Sequence, residues 1–221
     1  MTDTSKYFGS FDFWPHLSEN EVAAFNQNAV IKSFKKGSLI FDSGSECLGF
    51  DYIIKGSIRT YMMSDEGREV TLFRQQQGDC CVLAASCVIK EISFESFITT
   101  EEDTEVLIIN PPTASGIKAN NVYFRCFIYE LAAKRFSEAM KTMDNLLFLK
   151  LEGRLSSFLV GEYERTGITE LRMTHEQVAQ YINSAREVVA RTLKRFSQEG
   201  LVELKRGVIK LLDIEALKEM Y

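Results

Sequence analysis

The chain has 221 residues, 45% of them hydrophobic and 26% charged, and a formal net charge of −5. That is enough apolar material for two ordinary cores, which excludes a disordered chain, and no apolar run approaches the ~20 residues that cross a bilayer. The N-terminal stretch MTDTSKYFGSFDF lacks the basic start and apolar centre of a signal peptide, so the expected setting is the cytoplasm, with no membrane partner. Five cysteines, an odd number, argue for free thiols, a metal or cofactor site, or redox sensing over a disulfide framework.

In chain order, Ser18 with Glu21 three residues later predicts a capped helix to about Asn26. Short alternating runs follow, punctuated by Gly37, Gly44, Gly56, Gly67 and Gly78 at intervals that suit a compact antiparallel roll or barrel. Strands are expected at Ser38 to Phe41, Phe50 to Lys55, Ser57 to Met63, Glu69 to Arg74, Phe94 to Thr99 and Thr104 to Asn110, with a hairpin turn at Asp65-Glu66-Gly67. Pro111 and Pro112 close the region, because consecutive prolines cannot continue a ladder.

Beyond them lies the longest helical signal. Val122, Tyr129, Phe136 and Met143 recur every seven residues, and Ala132, Ala139 and Leu146 form the interleaved row of a coiled-coil seam. Arg125 interrupts that row, so the seam is expected to tighten from Tyr129 onward, with Phe124, Ile128 and Leu131 facing the roll. Two readings stay open: a dimer helix, or a helix packed only within its own subunit.

Residues 174–196 read as two amphipathic helices around a tight polar turn. Thr174 and Gln177 form a capping-box pattern ahead of Val178, Ala179 and Ile182, and Asn183-Ser184 break the helix. The second helix places Val189, Leu193 and Phe196 on one side and Arg186, Glu187, Ala190, Arg191 and Lys194 on the other. Arginine bridges guanine O6 and N7 while a carboxylate accepts from cytosine N4, so Arg186, Glu187 and Arg191 are the candidate base readers. Thr174, Ser184, Lys194, Arg195, Lys205 and Arg206 are the candidate phosphate contacts. From Asn183 to Lys210 there are seven basic residues against three acidic ones, a basic island on an acidic chain. After Gly200, LVELKRGVIKLLD predicts a hairpin wing turning at Lys205-Arg206-Gly207. A plainer reading makes Glu187 the capping partner of Ser184 and the i,i+4 partner of Arg191 on a merely solvated face.

These features together resemble the CRP/FNR superfamily of bacterial transcription regulators. The resemblance is carried by Lys36-Gly37, Ile40-Phe41, Gly44, Tyr52 to Ser57, Asp65 to Glu69 and Gly78-Asp79. It continues through Asn145, Phe148, Leu149, Gly153, Arg154 and Leu155 to Arg186-Glu187 and Arg191. It implies an α+β fold in three parts: an N-terminal antiparallel, jelly-roll-like β-roll (1–114), a long dimerisation helix and hinge (115–147), and a C-terminal winged helix-turn-helix (148–221). The seam residues Tyr129, Ala132, Phe136, Ala139, Met143 and Leu146 become the dimer contact. The implied partners are a second copy, RNA polymerase, and duplex DNA carrying a palindrome of TGTGA-like or related half-sites. Asn183 stands where the family usually has glycine, a mild departure because asparagine also tolerates the left-handed conformation.

The sensor departs further. After Gly78-Asp79 the chain reads Cys80-Cys81-Val82-Leu83-Ala84-Ala85-Ser86-Cys87, without the glutamate for a ribose or the arginine for a cyclic phosphate, and Ala139 and Met140 offer no side-chain hydrogen bonds of the kind a purine needs. Cyclic AMP is therefore not expected. With no cysteine before Cys47, the family's N-terminal iron-sulfur group is not expected either. Cys80, Cys81, Cys87 and Cys126 are left as candidate sensors of a redox, nitric-oxide or haem signal, through haem or another metal or through reversible oxidation. The competing reading is cysteine as a small core hydrophobe. Two other functions stand beside a regulator: a thiol- or haem-based redox enzyme, for which no nucleophile-base pair is apparent, and a ligand-binding scaffold without DNA readout.

Overall fold

The computed structural model describes residues 2–42, 48–81 and 95–221, so Gly44, Cys47 and Cys87 lie outside the described residues. It divides into two compact units, residues 1–67 with 72–139 and residues 68–71 with 140–221.

The first unit begins with α1 (Ser5–Phe8) and α2 (Glu19–Asn28). The capping box expected for α2 is present: the Ser18 hydroxyl accepts from the Glu21 amide, and the Glu21 carboxylate accepts from the Ser18 amide at 2.7 Å. Eight strands follow: β1 (Ala29–Phe34), β2 (Leu39–Phe41), β3 (Phe50–Lys55), β4 (Ser57–Met63), β5 (Glu69–Gln76), β6 (Cys80–Cys81), β7 (Phe97–Thr100) and β8 (Thr104–Ile109). They form two four-stranded sheets, ordered β1-β8-β3-β6 and β2-β7-β4-β5, with antiparallel pairing of β1 and β3 with β8, of β3 with β6, and of β2 and β4 with β7. The sheets enclose Phe41, Ile53, Ile58, Phe73, Cys81 and Ile98. The outer face of the first sheet buries Phe50, Leu107 and Ile109 against Phe8, Phe13 and Phe25 from the N-terminal segment. Sequence reading misses β1 because Val30 and Ile31 are both exposed, so the strand has no apolar alternation to detect.

Pro111 and Pro112 end the ladder of β8 but also open a helix, α3 (Pro111–Asn120), which corrects their reading as a simple boundary. The Asn110 side chain caps it by accepting from the Thr113 amide at 3.0 Å, and proline costs nothing in the first turn, where an N–H has no intrahelical partner. Next comes α4 (Val122–Phe148), 27 residues and about 40 Å long. Phe124 and Ile128 are fully buried in the aromatic core, with Leu131 partly buried beside them, as the second stripe predicts. The heptad residues Tyr129, Phe136 and Met143 stand in solvent, Phe136 at 67% exposure, while Ala132, Ala139 and Leu146 are half-buried.

The second unit holds α5 (Leu151–Thr166), β9 (Glu170–Leu171), α6 (His175–Tyr181), α7 (Arg186–Gln198), β10 (Val202–Lys205), β11 (Val208–Leu211) and α8 (Ile214–Lys218). Gly167, at φ 69°, supplies the left-handed residue that ends α5. The three strands form an antiparallel sheet in the order β10-β11-β9, and its core gathers Leu155, Leu159, Val178, Val189, Leu193, Phe196, Ile209 and Leu217.

Because Phe124 is fully buried and meets Phe13, Phe25 and Phe50 edge-on, Phe124→Ala is expected to destabilise the first unit by about 3–5 kcal/mol. Urea unfolding read by fluorescence of Trp14, the single tryptophan and a neighbour in the same cluster, measures it.

Candidate nucleic-acid interface

The C-terminal site is built on an N-terminal cap. The Thr174 hydroxyl accepts from the Gln177 amide at 3.1 Å and the Gln177 side chain accepts from the Thr174 amide at 2.9 Å, which fixes the start of α6. The turn that follows depends on Asn183, at φ 55° the one non-glycine with positive φ among the described residues. That is the left-handed conformation the sequence requires there. Its amide group accepts from the Thr71 N–H at 2.7 Å and donates to the Thr71 carbonyl at 3.3 Å, a side-chain role glycine lacks. Ala185, not Ser184, is the N-cap of α7; Ser184 is half-buried and its amide donates to the Ala179 carbonyl.

On α7, Val189, Thr192, Leu193 and Phe196 are buried. At about 100° per residue this stripe puts Glu187, Arg191 and Lys194 on the opposite edge, with Arg186 and Val188 on its two flanks. Arg186, Glu187, Arg191 and Lys194 are all exposed. Among the described residues no ion pair or side-chain hydrogen bond engages Arg186, Glu187 or Arg191. The Glu187–Arg191 pair and the Ser184–Glu187 capping contact of the plainer reading are therefore not formed. Glu187 and Arg191 share one uncommitted edge, and Arg186 flanks it at the start of the helix.

The expected phosphate contacts separate. Arg195 lies one turn further along the helix than Arg191, between Glu152 of α5 at 3.2 Å and Glu199 at 3.5 Å. In the free chain it is engaged by these two carboxylates, and its side chain is still 48% exposed. Lys205 pairs with Glu203 at 3.2 Å, both well exposed, an arrangement of little energetic consequence. Gly207, at φ 71°, turns the wing between β10 and β11, and Arg206 is exposed at its tip. An open cleft of about 550 Å³ brings Thr174, Arg186, Lys205 and Arg206 together with His175. A cationic groove between a helix start and a wing suits a phosphate backbone.

Val188 is a surface feature the sequence reading does not single out. It is apolar yet 39% exposed, next to the charged edge, and a methyl-bearing side chain there can touch a thymine methyl group. An unpaired apolar residue on the polar side of the helical period is the signal that could have found it.

Of the candidate sensor residues, Cys80, Cys81 and Cys126 are described. Cys80 and Cys81 are adjacent on β6, so their side chains point to opposite faces: Cys80 joins the aromatic core and Cys81 the core between the sheets. Both thiols are buried, and burial is the main cause that pushes the Cys80 thiol well above the ordinary range, away from a reactive thiolate. Cys126 is exposed on α4. Among the described residues no group of three or more His, Cys, Asp or Glu side chains is placed to hold a metal ion.

A different polar group occupies this part of the roll. Arg135 of α4 is only 3% exposed, pairs with Glu138 at 2.8 Å and Asp79 at 3.5 Å, and donates to the Cys80 carbonyl at 3.3 Å. Its Nε and the Gln75 Oε1 are buried without hydrogen-bond partners. Asp51, fully buried, accepts from the Cys81 amide at 2.9 Å; burial drives its carboxyl up to about 7, against the lowering effects of that hydrogen bond and of Arg135. Arg135 continues the stripe of Phe124, Ile128 and Leu131, seven residues after Ile128, whereas the sequence reading ends that stripe at Leu131.

Since Asp51 holds its proton more tightly folded than unfolded, its contribution favours folding at low pH and is lost as pH rises from about 4 through about 7. Asp51→Asn is expected to remove that part of the slope and to leave the protein relatively more stable than the parent at pH 8 than at pH 5. Urea midpoints at the two pH values measure the difference.

Comparison with known proteins agrees with this geometry. Residues 153–220 match the Crp-like helix-turn-helix domain and residues 31–119 the cyclic nucleotide-binding domain. The transcriptional regulatory protein Btr of Bordetella pertussis is 24% identical over 173 residues, which cover 75% of this chain and 70% of Btr. The cAMP-activated global transcriptional regulator CRP of Escherichia coli is 22% identical over 200 residues, 80% of this chain and 87% of that one. The crystal structure of a crp/fnr-family transcriptional regulator from Eubacterium rectale superposes with a TM-score of 0.85 at 37% identity, covering 95% of this chain and 97% of its own. The c-di-GMP-responsive regulator CLP of Xanthomonas campestris, at 18% identity and a TM-score of 0.74, shares the fold, over 89% of this chain and all of its own.

Proposed function

This chain belongs to the CRP/FNR family of transcription regulators, and from that premise we propose that it binds a palindromic operator as a homodimer and reads bases with Arg186, Glu187 and Arg191. The observation that carries this reading is the uncommitted trio on α7, whose opposite face is buried. Arg186 and Arg191 take guanine edges and Glu187 a cytosine amino group. Lys194, Lys205 and Arg206, with Thr174 and the backbone around Ser184, hold phosphates and set the register.

The solvent-facing heptad of α4 supports pairing with a second copy. A row of Tyr129, Phe136 and Met143 left in water costs solvation that a two-fold seam recovers. Such a dimer sets its recognition helices in successive major grooves about 34 Å apart. The signal acts in the roll, at the buried polar group around Arg135, and cyclic AMP does not fit Ala139 and Met140. The working environment is the cytoplasm, and RNA polymerase is the partner on promoter DNA. The named relatives are transcription regulators, so no turnover is assigned to the chain.

Selection of bound duplexes from random DNA by the purified protein tests the reading, with a two-fold symmetric motif and a steep loss of affinity with salt as the expected result. Recovery of no preferred duplex overturns it. On the selected site, Arg186→Ala and Arg191→Ala should each cost about 1–3 kcal/mol and relax preference at one base pair, as read by fluorescence anisotropy on single-substituted sites. Phe136→Lys should shift the protein towards monomer in sedimentation velocity and weaken full-operator binding, and the parent's unfolding midpoint should rise with protein concentration while the variant's does not.

A further inference from the structure

The second unit contains a cavity of about 220 Å³ between the last turns of α4, helix α5 and the turn ahead of α7. Lys141, Thr142 and Asn145 line it from α4, Arg154 and Ser157 from α5, and Asn183 from the turn. We propose that this cavity binds a compact oxyanion, a phosphoryl or carboxylate group, seated on Arg154.

Arg154 is the reason. Its Nε is buried with no hydrogen-bond partner, and among the described residues no carboxylate pairs with its guanidinium. Burial and the nearby charge of Arg68 both push Arg154 below the ordinary arginine range, the signature of a cation held against a like charge. The acidic side chain that does line the cavity, Glu162, bonds to Arg165 at 2.5 Å on the same helix. A half-buried cation without an opposite charge is expensive, and a buried donor without an acceptor adds to that cost. Native proteins satisfy such groups, and because Arg154 lines the cavity, an acceptor there would meet its guanidinium.

The lining also defines the class of ligand. Arg154 and Lys141 supply cationic donors, and Thr142, Ser157, Asn145 and Asn183 add hydroxyl and amide groups. Such a set matches a small group with several acceptor oxygens and negative charge, and guanidinium geometry favours two-point binding to phosphate or carboxylate. The volume is below the usual range for drug-sized ligands, which suits phosphate or a short polycarboxylate and leaves little room for a nucleotide. Because Asn183 forms part of the wall, an occupant braces the turn that carries α7. An anion that binds only the folded chain raises its melting temperature by mass action.

The test uses the full chain and three probes, inorganic phosphate, pyrophosphate and citrate, each compared with chloride at equal ionic strength. Titration calorimetry is expected to show saturable binding of one anion per chain, with a rise in melting temperature that chloride does not reproduce. Response to the phosphates alone identifies a phosphoryl site, and response to citrate alone a carboxylate site. Arg154→Gln should weaken binding about ten-fold or more, and Lys141→Gln, at an exposed position, several-fold with its unfolding midpoint unchanged. If Arg154→Gln does not fold, Lys141→Gln together with protection of Lys141 from amine acylation by the bound anion decides the matter. Absence of saturation with all three probes, or parent-like binding by Lys141→Gln without such protection, overturns the proposal. Anion binding here does not depend on DNA recognition, since operator selection by anion-free protein succeeds or fails separately.

Discussion

The burial of Val189, Leu193 and Phe196 beneath α7 is the constraint on which the C-terminal half of the molecule depends. Each is fully enclosed, and a buried side chain of that size is worth about 1.5–3 kcal/mol of transfer free energy. Rotation of α7 about its axis would expose them, so the helix has one orientation, and that orientation fixes what faces outward. The charged edge owes its position to the apolar edge. Neither Arg186, Glu187 nor Arg191 needs a partner within the chain to be held in place, which is why all three remain available to a ligand.

The neighbouring elements serve the same end. The Thr174–Gln177 box fixes where α6 begins, Asn183 in its left-handed conformation sets the angle to the next helix, and the sheet of the wing closes the core with Ile209 and Leu211. The difference between Arg191 and Arg195 shows how finely this works. They are four residues apart on one helix, yet Arg195 is drawn between Glu152 and Glu199 while Arg191 stays clear. A count of basic residues treats them alike; the carboxylates within reach one turn further along the helix separate them.

The same distinction between local and distant contacts governs what is legible in the sequence. The capping box, the two apolar stripes of α4, the left-handed Asn183 and the wing turn are local features, set within a few residues, and each can be read from the order of the amino acids. Other features depend on contacts far apart in the chain or on the path of the backbone. Pro111 and Pro112 read as a terminator, yet the cap from Asn110 makes the same dipeptide a helix start. Strand β1 carries a burial pattern with no alternation. Cys80 and Cys81 read as a cluster because they are neighbours in sequence, but the pleat of β6 sends them into different cores. Arg135 is buried only because two sheets and a helix meet around it, which no window of sequence contains.

On the proposed function, helix α4 is the element through which a signal in the roll would reach DNA. It carries two kinds of face: a buried one with the apolar anchors Phe124 and Ile128 and, one heptad further on, the cation Arg135, and an exposed one with the heptad row through Phe136 and Met143. Arg135 and Phe136 are consecutive residues, one in the polar interior of the roll and the other in solvent. A ligand that changes the charge balance among Asp51, Asp79 and Arg135 therefore acts on the helix that supplies the proposed seam. Coupling of only ~1–3 kcal/mol between the two would change operator occupancy many-fold, with no element unfolding. The residues of α4 that matter most for such coupling are thus the ones next to Arg135 on the seam, where a small shift of one face is also a shift of the other.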